Sequence, residues 1–488
     1  MNPAFLPQPA ARMTALLRHS FGALLIALLA GCASFSGIAP KAKLTQPQDL
    51  GASGTIPYPA NDWWTAYNDP KLNELIAAAV AGSPTMRTAQ ARLERAQAGA
   101  DVSRSALYPQ LSGDASSSRQ RFSENFIYPP PFGGAWYTQN DARLNGSWEL
   151  DLFGRNRAAL EASVGSARAA EADREAARVL LAARVASAYF NLAQTLEQRK
   201  VADATLADRE QLEKLVAQRV GAGLDTNVEL RQAQGNVPQI RQEIASLDEQ
   251  IGLARHALAA LAGAGPQAYD SLAPSINERP ALQLPATVPA DLIGRRADIV
   301  AARWRVESAS HDIAAAKASF YPDINLTGFI GFQSLGFTNW LSAASRVIGI
   351  GPAVHLPIFE GGKLRGNLRG KDADYDIAVE DYNAKLIDAL RDVADQLTST
   401  HSVETQWHEQ QDALAAAQSA YDLAQQRYRA GLSTYLTVLT AELNLEQQRR
   451  GAVGLKARRY ALDVELARSL GGGFHAEEQA AAQKTSSR

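Results

Sequence analysis

The sequence predicts a mixed fold of long α-helices and transmembrane β-strands, built twice within one chain. Two long stretches without proline, from Asn156 to Val220 and from Lys363 to Ala430, have the composition of helices. Segments that precede them alternate apolar and polar residues, which is typical of membrane β-strands. Motifs of the first half recur in the second half, which indicates one duplicated unit rather than an array of small repeats.

The duplication rests on three motifs that recur in the same order at a nearly constant separation. The repeated pairs are Arg104–Pro109 with Lys317–Pro322, Leu150–Phe153 with Leu356–Phe359, and Gln218–Leu224 with Gln426–Leu432. Each half is therefore expected to contain a helix, two strands and two long helices. We place the repeats at residues 63–270 and 271–470, after an extended segment at 32–62 and before a disordered tail at 471–488.

The N-terminus has the features of a lipoprotein signal peptide. A basic segment precedes a short apolar run, Gly22 to Ala30, which is too short to cross a bilayer as a helix. The run ends at Leu29-Ala-Gly-Cys32, which resembles a bacterial lipobox. Cys32 is the only cysteine and has no partner for an internal disulfide. We expect residues 1–31 to be removed, and Cys32 to carry N-palmitoyl and S-diacylglycerol groups in the outer membrane.

The long helices must pack side by side. A helix of about 65 residues is roughly 100 Å long at 1.5 Å per residue, too long to be buried in a compact core. An apolar seam at helical spacing predicts a bundle or tube, and it comprises Leu181, Val185, Tyr189, Leu192 and Leu196. Each long helix ends in a glycine-containing tip, from which a second helix runs back. Those return helices are expected at Thr226–Leu261, with a kink at Pro238, and at Ser433–Leu470.

Four segments are expected to form strands. Alternation of apolar and polar residues begins at Ala142, Asp323 and Ile348, and residues 110–122 are a weaker fourth case. No later segment is apolar and long enough for a transmembrane helix, so any membrane crossing must use strands closed into a barrel. A soluble pair of β-hairpins is the alternative explanation of the pattern.

A four-stranded unit cannot close a barrel alone, so membrane insertion would require several chains. Two chains give eight strands, whose interior is filled by side chains. Three chains give twelve strands, which can leave a pore, and cyclic symmetry supplies the closure.

Nearly the whole chain after Cys32 resembles the outer-membrane factor (TolC-like) family, in the lipoprotein branch that serves RND-type efflux pumps. The segments that carry the resemblance are Asp62–Trp64, Asp69–Leu72, Leu292–Ile299, Ala315–Pro322, Pro357–Gly362 and Gln426–Gly431. Ala297 departs from the pattern, because the family commonly has proline there.

The resemblance implies a homotrimer with a shared twelve-stranded β-barrel, four strands per protomer, on a long periplasmic α-helical barrel. Such a trimer is a passive outer-membrane channel for drugs, other small toxic compounds or metal ions. Its helix tips would meet a periplasmic membrane-fusion adaptor, which links them to an inner-membrane RND-type pump.

The resemblance also suggests a periplasmic gate at the helix tips. Leu436 matches an apolar position that forms a ring at the narrow end. Thr437 and Thr440 lie where relatives often carry aspartate, so an acidic, cation-selecting ring is not expected. Tyr428 matches a tyrosine that latches neighbouring helices, and we expect Glu229 to be its partner.

The tips have a structural and a functional interpretation. Gly221, Gly223 and Gly431 are expected to end the helices with positive φ angles. The same glycines are candidates for contact with the adaptor. Arg219 and Arg427, one turn before each tip, would either cap helix C-termini or dock the adaptor.

Other functions are less well supported. The chain has no P-loop, GxSxG or HExxH motif, so we predict no enzyme activity. His401, Glu404 and His408 share a helix face, which we interpret as solvated rather than metal-binding. A formal net charge of −2 gives no basis for binding nucleic acid. The remaining alternatives are the exit duct of a type I protein-secretion system and a coiled-coil lipoprotein without a pore.

Overall fold

The computed structural model describes residues 35–50, 59–125, 127, 129–276 and 295–475. The helices and strands are α1 (Pro70–Gly82), α2 (Pro84–Ser105), β1 (Gln110–Arg121), β2 (Trp136–Glu149), α3 (Arg155–Gly221), α4 (Asn227–Ala262), α5 (Ala297–Ala318), β3 (Asp323–Leu335), β4 (Arg346–His355), α6 (Lys363–Arg429) and α7 (Tyr435–Ser469). The expected order of a helix, two strands and two long helices occurs twice. The signal peptide 1–31, Cys32 and residues 476–488 lie outside the described residues.

The four strands form one antiparallel sheet in the order β1-β2-β3-β4. The β2–β3 pairing joins the two sequence repeats, and Gly146 lies opposite Gly328. Apolar side chains on the strands are exposed to solvent in the single chain, among them Leu144 and Ile350, which are 51% and 82% exposed. The predicted mixture of long helices with four strands per chain is confirmed.

The chain divides into two compact units that cut across the sequence repeat, because strands from both halves pair in one sheet. The first unit contains the described parts of residues 1–44, 94–169 and 303–381. The second contains the described parts of residues 45–93, 170–302 and 382–488.

Within the first unit, small residues let α3 and α5 approach closely. A Cβ atom added at Gly165 would lie 3.1 Å from Cβ of Ser308. The Ser308 hydroxyl donates to the Ala162 carbonyl at 2.7 Å. The Arg168 guanidinium lies over the Trp304 ring, 4.5 Å from its centre.

The core of the second unit explains the Asp69-Pro70-Lys71-Leu72 motif. Asp69 caps the N-terminus of α1, because its carboxylate accepts hydrogen bonds from the backbone N–H groups of Lys71 and Leu72. The other oxygen of the same carboxylate accepts a 2.6 Å hydrogen bond from the buried hydroxyl of Tyr189. One side chain thus starts a helix and fixes it to α3.

The long helices match the predicted stretches closely. α3 and α6 each contain 67 residues, and Pro238 lies inside α4 without ending it. In the part of the chain that is described, every helix is too polar or too short to be a membrane span.

The segment after α7 is ordered as far as His475, so the predicted disorder is wrong for residues 471–475. Gly471, Gly472 and Gly473 have positive φ angles, and the N–H groups of Gly471 and Gly472 donate to the carbonyls of Arg468 and Ala467 at the end of α7. Phe474 is then buried, only 3% exposed. Burial of that ring explains the order despite the glycine-rich composition.

Candidate functional site

The two helical hairpins end in turns of the same geometry. In the first, the N–H groups of Gly223 and Leu224 donate to the carbonyls of Val220 and Arg219. This pair of bonds is a Schellman motif, in which the C′ residue adopts a left-handed conformation. Gly223 has a φ of 73°, as this conformation requires.

The second hairpin repeats that geometry. Gly431 has a φ of 76°, and the N–H of Leu432 donates to the Arg427 carbonyl at 2.8 Å. The expected positive φ is therefore confirmed for Gly223 and Gly431. It is wrong for Gly221, which is the last residue of α3 and keeps the negative φ of a helix.

Each tip carries exposed aliphatic side chains at equivalent positions of the repeat. Leu224 and Leu432 follow the two glycines and are 64% and 68% exposed. Val228 and Leu436 lie one turn further on and are also exposed. Thr440 follows on α7, where its hydroxyl donates to the Leu436 carbonyl at 2.9 Å.

Three side chains, Arg219, Asp225 and Tyr428, join the first tip to the end of α6, and we name them the tip latch. Arg219 Nε donates to Asp225 Oδ2 at 2.9 Å, and Arg219 Nη1 donates to the Tyr428 carbonyl at 3.0 Å. The Tyr428 hydroxyl donates to the same Asp225 oxygen. The Arg219 guanidinium also lies over the Tyr428 ring, 4.5 Å from its centre.

The electrostatics of the tip latch favour the ionised pair. Burial alone would raise the pKa of Asp225, but hydrogen bonds from Arg219 and Tyr428 outweigh it and lower the pKa. The hydrogen bond to Asp225 raises the pKa of Arg219. Burial, followed by the bond to Asp225, raises the pKa of the Tyr428 hydroxyl, so it stays a donor.

The predicted contact between Tyr428 and Glu229 is wrong within the chain. Glu229 accepts hydrogen bonds from the backbone N–H and the hydroxyl of Thr226. Together they form a capping box at the start of α4, so Glu229 is directed at its own helix. The signature Thr226-Asn-Val-Glu229 is visible in the sequence and would have given Glu229 this role.

The two tip arginines differ in their surroundings. Capping of a helix C-terminus was one predicted role of Arg219. Arg219 does cap a helix end, but that of α6 rather than its own helix, because it donates to the Tyr428 carbonyl. Its side chain is only 12% exposed. Arg427 is exposed in the last turn of α6. Of the two, Arg427 is the better placed to meet another protein.

The N-terminal segment 35–44, which we name the strap, lies along α6. Arg365 donates to the Ser36 carbonyl, and Asp376 accepts from the backbone N–H groups of Lys41 and Ala42 at 2.8 and 2.9 Å. At the start of the strap, the Phe35 ring packs edge-on against Phe320, with 5.0 Å between ring centres.

The strap thus begins beside the junction of α5 and β3. Tyr321 lies at that junction and stacks on Phe153, which follows β2. Aromatic clusters of this kind are common where a membrane protein meets the interface. Cys32 lies three residues before Phe35, and three residues span at most about 11 Å.

The face of His401, Glu404 and His408 shows no metal-binding geometry. Glu404 pairs with Arg459 at 3.0 Å. Throughout the described ranges, no group of three or more histidine, cysteine or acidic residues has an arrangement that could hold a metal ion.

Comparison with known proteins assigns most of the chain to one family. Residues 75–264 and 288–472 match the outer membrane efflux protein family. The chain is 40% identical to the fusaric acid resistance protein FusA of Burkholderia cepacia over 71% of this chain and 67% of the relative. It is 30% identical to the multidrug resistance outer membrane protein MdtP of Shigella flexneri, over 89% of this chain and 90% of the relative.

The fold is that of a known outer membrane protein. The structure of VceC from Vibrio cholerae superposes with a TM-score of 0.79 and 36% identity. The match covers 86% of this chain and all of VceC.

Proposed function

This chain belongs to the outer membrane efflux protein family, and we propose that three copies form the passive exit channel of a tripartite efflux pump. The observation that carries the proposal is the four-stranded sheet, in which the outer strands β1 and β4 each pair on one side only among the described residues. Open edges are not tolerated in lipid, so the edges must pair with other copies. Three copies supply twelve strands, enough for a pore.

The test is planar-bilayer conductance of the detergent-extracted protein, after native mass spectrometry has established its mass. A trimer that gives discrete conductance steps is expected. A protein that stays monomeric would contradict the shared barrel, since one sheet cannot close on itself. A trimer that never conducts, even with the tip latch broken, would contradict the channel.

We propose small toxic organic compounds as the cargo. Two relatives are named for resistance to fusaric acid and to multiple drugs. The matching test is drug susceptibility of a deletion strain, with and without the gene restored. Rescue of protein secretion, without rescue of drug tolerance, would favour the type I secretion alternative.

The exposed tips support a periplasmic adaptor as the direct partner, and through it an inner-membrane pump of the RND type. Leu224 and Leu432 present the same aliphatic group from equivalent turns. An adaptor with repeated apolar contacts would therefore meet similar surfaces on both hairpins. Gly223, Gly431 and Arg427 lie in the same turns and complete the proposed contact surface.

The strap supports a lipid anchor on Cys32, because it brings the chain to the aromatic junction three residues after that cysteine. Substitution Cys32→Ser should abolish incorporation of labelled palmitate and leave the signal peptide uncleaved. Substitution Ser34→Ala is the matched control, because it alters the same segment and keeps the thiol. Undiminished palmitate incorporation in Cys32→Ser would exclude this acylation site.

A further inference from the structure

We propose that a buried ion cluster around Arg209 forms a second constraint on channel opening, separate from the tip latch. The cluster consists of Arg209, Glu243, Glu442, Glu446 and Arg450. The inference rests on the proposed channel function. It assigns to these residues the role of holding the two hairpins together.

The geometry shows one guanidinium joining three helices. Arg209 on α3 donates through Nε to Glu442 Oε1 at 3.2 Å and through Nη2 to Glu446 Oε2 at 2.7 Å, both on α7. Its Nη1 donates to the Asn236 carbonyl on α4 at 3.1 Å. The first hairpin, formed by α3 and α4, cannot move away from α7 without breaking the bonds to Glu442 and Glu446.

Further contacts extend the cluster along the same interface. Arg450 on α7 donates to Glu446 and also crosses to Glu243 on α4. Towards the tips, Asn236 Nδ2 donates to the hydroxyl of Tyr435, the first residue of α7, at 3.1 Å. Tyr435 packs in one apolar cluster with Tyr428 of the tip latch. The two constraints therefore border one apolar cluster but consist of different ion pairs.

The charges of the cluster do not balance. Three carboxylates face two guanidinium groups, and the Arg209 and Glu442 side chains are only 7% and 4% exposed. One carboxylate oxygen, Glu442 Oε2, is buried and accepts no hydrogen bond. The closed cluster therefore holds an excess of negative charge. A buried carboxylate with an unpaired oxygen is unstable as an anion.

This imbalance gives the cluster a defined pH response. Burial raises the pKa of Glu442; Arg209 opposes the shift, while Glu446 and Asp208 add to it. Asp208 is itself paired with Arg449 at 3.5 Å. Burial raises the pKa of the Tyr421 and Tyr435 hydroxyls, and the charge of Glu442 adds to both shifts. Because the closed cluster binds a proton more tightly than a hydrated carboxylate would, it is favoured as pH falls towards the usual glutamate value of 4.5.

The cluster has no counterpart at the equivalent positions of the sequence repeat. At the separation that relates Gln218 to Gln426, Arg209 corresponds to Ala417, Glu442 to Gln234 and Glu446 to Pro238. In a ring of alternating hairpins, the equivalent interface between protomers would therefore lack these ions. The ionic constraint belongs to the interface between the two hairpins of one chain.

The experiment is single-channel recording of full-length trimers at pH 8, 7, 6 and 5. Arg209→Met is expected to raise the open probability about tenfold, because it removes the shared donor. Arg241→Met is the matched control: it removes an exposed arginine of α4, whose partner Glu210 is on α3. We expect this control to behave as the unmodified channel.

A second variant keeps the proposal testable if Arg209→Met does not assemble. Glu442→Gln preserves the size of the side chain but removes the excess charge. It should lower the open probability at pH 7 and abolish the decline that the unmodified channel shows towards pH 5. Unchanged pH dependence in Glu442→Gln would overturn the proposal.

A variant of the tip latch distinguishes failure of the cluster proposal from failure of the proposed channel function. If Asp225→Ala channels conduct while Arg209→Met trimers open no more than Arg241→Met trimers, only the cluster proposal fails. If no variant conducts, the proposed channel function fails and the cluster proposal fails with it.

Discussion

Substitution Asp225→Ala is expected to raise the open probability of the channel roughly a hundredfold at neutral pH. The change leaves the Arg219 guanidinium, 12% exposed, without its carboxylate and leaves the Tyr428 hydroxyl without its acceptor. Removing one partner of a buried ion pair costs about 3–5 kcal/mol, and the lower value corresponds to roughly a hundredfold change in an equilibrium. Single-channel recording measures the effect directly.

Graded variants test whether the tip latch is the cause. Tyr428→Phe removes one hydrogen bond, worth about 1 kcal/mol, and should raise the open probability about fivefold. Ser433→Ala is the matched control, because Ser433 occupies the position of Asp225 in the second tip and carries no charge. Wild-type gating in Asp225→Ala would mean that the three side chains do not hold the tips together.

Glu229→Ala separates the observed latch from the contact that was first expected. Loss of the capping box should cost α4 about 1 kcal/mol of stability. Since the hydrogen bonds of Glu229 among the described residues are to the start of its own helix, the open probability should change little. A large increase would restore Glu229 as a gate residue.

The two constraints respond to acid in opposite directions. The lowered pKa of Asp225 means that the tip latch keeps its full strength at neutral pH and loses it as pH falls below the usual aspartate value of 3.8. The raised pKa of Glu442 means that the ion cluster strengthens as pH falls towards the acidic range. We expect the open probability to decline as pH falls towards the usual glutamate value of 4.5 and to rise again below the usual aspartate value of 3.8.

The strands and long helices were predictable because their periodicity is local. Alternation beginning at Ala142 reflects the two faces of β2. The absence of proline allows α3 to continue as one long helix. The edges of a four-stranded sheet also predict an oligomer, because an unpaired edge is unfavourable in any lipid environment.

The partner of Tyr428 was less predictable because it depends on which way a side chain leaves a turn. Asp225 and Glu229 are both acids close to the first tip, and a sequence resemblance does not distinguish their directions. Asp225 precedes the N-cap and remains outside the helix, whereas Glu229 lies at N3 and turns back to the N-cap. Capping chemistry was the missing step, since Thr226 identifies the N-cap and thereby the direction of Glu229.

The order of residues 471–475 was missed for a different reason. Composition alone assigns a glycine-rich terminus to a disordered tail. Here the glycines supply left-handed turns after α7, and the turns bring Phe474 into a buried position. The burial of Phe474 depends on the packing around it, which composition does not reveal.

Gly331→Val is expected to prevent assembly of the trimer. A Cβ atom at this position of β3 would lie 2.2 Å from the carbonyl oxygen of Ala142 and 2.8 Å from the Cα of Arg143. Both atoms belong to the backbone of β2, which cannot move without breaking the pairing that joins the two repeats. Overpacking costs about 1–3 kcal/mol at one site, and a trimer incurs it three times. Native mass spectrometry of the extracted protein should show monomers.

Steric contact, rather than backbone strain, is the reason for this expectation, since Gly331 does not have a positive φ. Gly146→Val provides the control, because Gly146 lies in β2, which pairs on both sides within the chain, and a Cβ there comes no closer than 3.8 Å to the neighbouring strand. Valine favours strands, so this control should assemble. Trimers of Gly331→Val with normal conductance would show that β2 and β3 separate more easily than their paired backbones indicate. In that case the sheet would not be the rigid unit on which a shared barrel depends.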